Sequence, residues 1–553
     1  MIAKQPIQKQ YTTKVLDHLG LVAGMCQELK ISELIDQHIP IKSPDKILST
    51  GHAVVGLILN GLGFVNKRLY LVPQFFKNKP VAKLLNVSYL TSDHFNDDAL
   101  GRSLDAVAAF GVSNLYALIS SHAIRHLSEK YGLKIESGQL DNTNFHLHGL
   151  NKILQLEGKE TLEITQGYSK DHRPDLVQIG LQLIVENQSR IPLLMEILSG
   201  NQEESTSYGQ FIEKYAEQLQ NNYDLRLVVV DSKLYNQNNL VILGGKKDLT
   251  WVTRVPNSLR VVKDLLGNID KTYLQELEGH EKYRYLTVCS QYGSVKQRWI
   301  VLHSTDKYKQ DLKQLNKKVA NRTKAAVKAY KQLSKQLFET EEAALLAASK
   351  FCKSLKFNNL ENIETVIKKQ YNSVGKPKKG QLPDQISYTI RGKIESDKQV
   401  YEVEKSKLGY FILATNELEA GQISAAQLLT HYKNQSKVER SFRFLKDPAL
   451  VASSLFVQKP ERMMAILMIM TLCLLVYAAL EFVTRTLLKK ENLTFNNQVG
   501  KPIQNPTMKW IFQCFEGVHI LYLTDNKQVV LNLENQHELI INLLGKNYLK
   551  FYT

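Results

Sequence analysis

Three carboxylates are the residues of this chain best placed to do chemistry. Asp141 lies in GQLDNTNFHLHG, and Asp231 directly follows Val228-Val229-Val230 in LRLVVVDSKLY. Glu439 interrupts a cationic and aromatic run, LTHYKNQSKVERSFRFLKDP. Carboxylate oxygens suit hard cations such as Mg²⁺, which assist phosphodiester chemistry. Each residue also has an ordinary use. DNTN is turn chemistry for Asp141, and Asp231 can cap a helix over SKLYNQNNL. Glu439 can pair with Arg443 four residues on, worth a few tenths of a kcal/mol.

The elements around them decide which use has a physical basis. Leu176–Gly200 reads as two strands joined at ENQSR, SYGQFIEKYAEQLQNNY as an amphipathic helix, and DLTWVTRVP as a strand stopped by Pro256. The order strand, hairpin, helix, strand, strand describes a mixed α/β sheet. One short strand ends near Asp141 and a buried one ends at Val230, so both aspartates fall at strand ends, where α/β folds present reacting groups. Read as one helix, the Glu439 segment buries a stripe of Val438, Phe442 and Leu445. Glu439 sits about 100° round from it, on a face shared with Tyr432, Gln435, Arg443 and Lys446.

The chain has 553 residues, enough for several cores, and a net charge of +17. That charge favours a polyanionic partner, nucleic acid before an anionic membrane. Residues 301–380 hold eighteen Lys and Arg against seven Asp and Glu, so the charge is concentrated there. Five dispersed cysteines without metal-ligand spacing fit a reducing compartment. The N-terminus shows no apolar signal region. Met463–Leu480 is uncharged and about long enough to span a bilayer, but reads as a core helix buried on all sides. No Ser/His/Asp or Cys/His pattern appears, and GLILNGLGF lacks the Lys-Ser/Thr ending of a phosphate loop.

Tyr432, Glu439 and Lys446 stand in the register of a signature that runs Tyr, two residues, Arg, three residues, Glu, six residues, Lys. The chain thereby resembles the DDE insertion-sequence transposases that carry it, with Gln435 in the arginine place. GYSKDHRPDLVQI, VKQRWIVLHS and HFNDDALGRSLDAV resemble further parts of that family, over most of residues 85–480. The resemblance implies a multidomain α/β protein with an RNase H-like catalytic core. It assigns Asp141, Asp231 and Glu439 as catalytic residues and as ligands of two Mg²⁺ ions, with Mn²⁺ able to substitute. It places Tyr432, Lys446, Arg443, His172, Arg173 and Trp299 against DNA, Arg443 as a stand-in for the missing arginine. The implied partners are transposon ends and target DNA, bound by a homodimer in the cytoplasm, on the nucleoid, with no membrane.

The expected organisation is a helical end-binding region over 1–130 and a first catalytic part over 131–257. A basic, β-containing insertion follows over 258–420, then a second catalytic part with the Glu439 helix over 421–485, and a C-terminal region over 486–553. Three rivals fit part of the pattern: a metal-dependent nuclease without strand transfer, a DNA-binding derivative that has lost catalysis, and a membrane-anchored basic protein resting on residues 463–480.

Overall fold

A computed structural model describes residues 11–41, 47–64, 69–147, 154–156, 162–168, 173–246, 249–372, 379, 381–446, 459–523 and 527–553. The fold is mixed α/β, with a large sheet and helices at both ends of the chain. A short strand, β1 (Thr12–Val15), leads into helices α1 (Leu19–Glu28), α2 (Ile31–His38), α3 (Thr50–Leu62), α4 (Asp97–Phe110) and α5 (Val112–Tyr131). The starts of α3 and α4 follow local capping. Ser49 accepts from His52 N at 3.0 Å, and Asn96 from Ala99 N at 2.9 Å. Gly111, at φ +103°, makes an 87° bend between α4 and α5 that a side chain would resist.

The sheet begins with β2 (Gly138–Leu147), β3 (Val177–Glu186) and β4 (Pro192–Leu198). Helix α6 (Glu204–Tyr223) crosses to β5 (Leu227–Val230), and β6 (Thr250–Val255) follows. All ten residues of β3 and all four of β5 are buried, as expected of strands covered on both faces. β2 pairs parallel with β5, and β5 parallel with β6. The turn between β3 and β4 falls at the expected ENQSR.

The sheet does not stop at residue 257. Strands β7 (Gln275–Glu276), β8 (Tyr283–Tyr292), β9 (Val295–Ser304) and, much later, β12 (Tyr410–Thr415) complete nine strands in the order β4-β3-β2-β5-β6-β12-β9-β8-β7. Gly293 and Ser294, both at positive φ, form the tight turn between β8 and β9. What stands apart is shorter than the expected 258–420 insertion. It comprises α7 (Thr305–Leu333), α8 (Glu341–Ser354), the two-stranded sheet of β10 (Asn358–Gln370) and β11 (Gln385–Ser396), and α9 (Lys398–Ser406). It has its own small core around Ala344, Ala348 and Ile390. The boundary moves because β12, about 160 residues after β6 in sequence, is its hydrogen-bonded neighbour.

Helices α10 (Ala425–Lys433) and α11 (Ser436–Leu445) follow, then the 31-residue α12 (Pro460–Lys490). The most apolar window of α12 is 83% buried within the protein, packed by α1, α3, α4, α5 and β4. It is a core helix, and the helical body is built around it. That body uses both chain ends. β1 pairs with β13 (His519–Tyr522), itself paired with β14 (Gln528–Leu531). α13 (Asn535–Leu544) packs on α12, and α14 (Lys546–Leu549) on α1. Glu28, buried in α1, accepts from Lys130 Nζ, Tyr131 OH and Tyr548 OH, each at 2.6 Å. The N-terminal and C-terminal regions expected as separate units therefore form one.

Candidate active site

Parallel pairing of β2 with β5 matches Leu140 to Val230. The next residue of each strand is an aspartate, so Asp141 and Asp231 leave neighbouring strands at one level, about 4.8 Å apart in backbone. β2 does not end at Asp141 as expected from DNTN. It runs on to Leu147, because its other edge stays paired with β3 as far as Leu147–Val177. The strand end that matters is that of β5, whose ladder with β2 stops at Leu140–Val230.

Each aspartate is held. Asp141 Oδ1 accepts from Tyr208 OH of α6 at 3.1 Å and from Asn142 N at 2.8 Å. Burial pushes the Tyr208 phenol well above its ordinary pKa, reinforced by the negative charges of Asp141, Asp231 and Glu204. It therefore remains a donor at any physiological pH. Asp231 Oδ1 accepts from Lys233 N at 2.8 Å, capping a single 3₁₀ turn. Its carbonyl accepts from Thr253 Oγ1 at 2.6 Å. Capping is thus real at Asp231, and does not remove the residue from the cavity. Lys233 in that turn pairs with Glu204, and Asn239 Nδ2 donates to Ser205 O at 2.6 Å. The N-terminal end of α6 thus braces the segment after Asp231 through Glu204 and Ser205, and Asp141 through Tyr208.

The two aspartates and Glu439 line one cavity of about 800 Å³. Tyr432, Gln435, Arg443 and Lys446 line it too, so the expected polar face of this segment is the face turned inward. The segment is two helices, α10 and α11, broken after Lys433. Asn434 and Gln435 keep right-handed backbone angles, which preserves the angular order. Phe442 and Leu445 are buried as expected, while the Val438 side chain lies outside the described residues. Lys446 Nζ lies 6.0 Å from the ring centroid of Phe145, on the same face of β2 as Asp141.

Four cations, Arg254, Lys433, Arg443 and Lys446, share the cavity wall with the three carboxylates. Carboxylates beside cations on an open concave wall suit a phosphodiester: cations meet the non-bridging oxygens, and carboxylates can hold a hard cation. Asp141 and Asp231 fit such an ion by donor chemistry and by adjacency. Glu439 faces them from α11, and among the described residues no three acidic, His or Cys side chains are gathered tightly enough to hold one ion.

Arg254 was not expected. It comes from β6, the single cation of a strand otherwise reading as buried sheet, and it lies beside Tyr432 on the cavity wall. Burial raises the Tyr432 pKa. Asp231 adds to that rise and Arg254 opposes it. The only signal for Arg254 in sequence was a charge in DLTWVTRVP. Tyr208 carried none, since it sits on the buried face of an amphipathic helix.

One expected DNA contact needs correction, and another lies away from the cavity. Trp299 is 1% exposed in β9, its indole N–H bonded to Gln297 Oε1 at 3.0 Å, and its ring packed edge-on to Tyr235. It is a core residue and presents no face for stacking. Arg173 forms a two-point ion pair with Asp175, at 2.9 and 2.7 Å. It lies by the start of β3, beyond the far end of β2, and does not line the cavity. Asp141 is six residues from that end, about 20 Å along the strand. His172 lies outside the described residues.

Comparison with known proteins places this geometry in a family. Residues 140–476 match the family model described as a transposase DDE domain, and residues 11–121 match one described as a domain of unknown function, DUF4277. Among solved structures, a piggyBac transposase synaptic complex with hairpin DNA matches at 11% identity and a TM-score of 0.37. That match covers 92% of this chain and 82% of the other. No curated protein matches.

Proposed function

Since this chain belongs to the family of transposases with a DDE domain, we propose that it binds the terminal inverted repeats of its own element, cuts the ends and joins the freed 3′-OH to target DNA. The observation that carries this reading is the meeting of Asp141, Asp231 and Glu439 on one cavity with four cations. Asp141 and Asp231 would hold a divalent cation, Mg²⁺ or Mn²⁺, and Glu439 would complete the oxygen set for a pair of ions from the facing helix. Such ions, when bound, supply Lewis acidity to the scissile phosphate and to the attacking oxygen.

The chain's own side chains do the rest. Tyr208 and the Lys233 amide keep one oxygen of each aspartate engaged, so the remaining donors are oriented before substrate arrives. Arg254, Arg443 and Lys446 neutralise phosphate charge, and Lys433 extends the cationic wall over Tyr283, 4.1 Å from its centroid. Tyr432 stays a neutral donor beside Arg254. The cutting and joining steps fit a homodimer holding two ends.

The test is cleavage of an end fragment with Mg²⁺ or Mn²⁺ by wild type and by Asp141→Ala, Asp231→Ala and Glu439→Ala. Each variant should lose cleavage by at least a thousandfold and keep end binding. Near-normal cleavage by any one removes that residue from the reaction. A joined product in a strand-transfer assay separates this reading from a nuclease that only hydrolyses.

A further inference from the structure

Away from the cavity, helix α7 carries a second ordered set of cations. It has 29 residues and is fixed to the protein along one side. Leu315 and Ala326 are buried. Asn316 Oδ1 accepts from Tyr401 OH at 2.8 Å, and Tyr330 OH accepts from Gly392 N at 2.7 Å. At about 100° per residue these positions define the packed side. Lys309, Lys313, Lys317, Lys324, Lys328 and Lys331 fall within about 100° of arc, centred about 120° round from it. All six are exposed.

No carboxylate among the described residues pairs with any of the six. The two acids of the helix, Asp306 and Asp311, pair instead with Lys282 and Lys307. The stripe is therefore uncompensated along its length. Lys309 to Lys331 spans about 33 Å of helix, close to one turn of B-DNA. No aromatic side chain lies along it, since Tyr308 and Tyr330 belong to the packed side. Single-stranded nucleic acid is held by aromatic stacking as well as charge, whereas a rigid duplex backbone needs only regularly placed cations.

The stripe also starts at the cavity rim. Asp306, in the first turn of α7, accepts from Lys282 Nζ at 2.9 Å, and the next residue, Tyr283, lines the cavity under Lys433. We propose that the lysine stripe of α7 docks the phosphate backbone of duplex DNA running out of the active-site cavity, without reading its sequence. This rests on the transposase reading for the nature of the ligand, and extends it to a second surface about one duplex turn long.

The experiment titrates the full-length protein against a labelled 40-bp duplex of random sequence, and against a 40-nucleotide single strand, over a range of salt concentrations. Replacing Lys313, Lys317, Lys324 and Lys328 together by Gln should weaken duplex binding tenfold or more. It should also flatten the slope of log K against log salt by about three to four. The same four positions changed to Arg should bind as wild type, which excludes a folding defect. Reversal of two exposed lysines at the end of α12, Lys489→Glu and Lys490→Glu, should leave the slope unchanged. An unchanged slope in the Gln variant overturns the proposal, and so does an equal loss of single-strand binding. If wild type itself fails to bind duplex, the transposase reading falls; if wild type binds and the Gln variant binds equally well, only the stripe does.

Discussion

Tyr208 donates its phenolic hydrogen to Asp141 Oδ1 across 3.1 Å, from a position with no solvent exposure. The contact joins α6 to β2, and the same turn of α6 grips the segment after Asp231 through Glu204 and Ser205. One helix end thus sets the spacing between two carboxylates from different strands.

Tyr208→Phe keeps the ring packing and deletes only that hydrogen bond. A bond to a charged group is worth about 1.5–3 kcal/mol, and partners that orient metal ligands affect affinity by roughly 10–100-fold. The concentration of Mn²⁺ giving half-maximal binding, followed by calorimetry on the DNA-free protein, should rise by about tenfold or more. Thermal stability should fall by only a few degrees. Unchanged Mn²⁺ affinity would show that Tyr208 merely packs.

Gln435 and Arg254 line the same cavity, one neutral where the signature has arginine, the other a cation delivered by β6 beside Tyr432. Arg254→Gln should lower end cleavage by roughly 10–100-fold, the cost of one charge-assisted phosphate contact. Gln435→Arg alone should change little, and should recover most of the loss when added to Arg254→Gln. A double-mutant cycle measures this coupling. Strict additivity would show that the two side chains serve separate ends.

A third expectation concerns acid. His18 is fully buried, its Nε2–H donates to Leu62 O at 2.7 Å, and its ring stacks on Phe512 at 4.2 Å. Burial lowers its pKa to about 4, outweighing the Leu62 hydrogen bond and the Asp17 charge. The unfolded chain takes up the proton near pH 6.5 and the folded chain only near pH 4. Stability is therefore full above about pH 6.5 and falls as pH drops between those values, by about 3 kcal/mol in all. Urea unfolding at pH 7, 5.5 and 4.5 should show the fall, and His18→Gln should flatten it. A wild-type profile flat over this range would contradict the burial effect.

Much of this arrangement was legible from one chain of letters. The run VVV before Asp231 marked a buried strand and VQIGLQLIVE a strand, and the angular order of Tyr432, Gln435, Glu439, Arg443 and Lys446 survived the break between α10 and α11. What could not be read were relations between elements. Arg254 reaches the cavity because β6 pairs parallel with β5 in a register that sets Thr253 opposite Val230. Tyr208 reaches Asp141 because α6 packs back over β2. The extent of the sheet was misjudged for the same reason: local pattern identifies a strand but not its partner. Trp299 shows the converse. The resemblance set it against DNA, and the buried run Gln297–Leu302 encloses it in the sheet.

The helical body closed by β1, β13 and α12 sets an order of events during synthesis. Residues 11–131 leave the ribosome well before their packing partners in residues 460–553. At about 5–20 residues per second the early helices wait roughly 15–65 s for α12. Through that interval their apolar faces are a substrate for chaperones rather than part of a folded unit. A message truncated after Lys446 would still encode Asp141, Asp231 and Glu439, yet its product would lack the helix around which the first hundred residues assemble. Quality control, not loss of a carboxylate, would silence such a fragment.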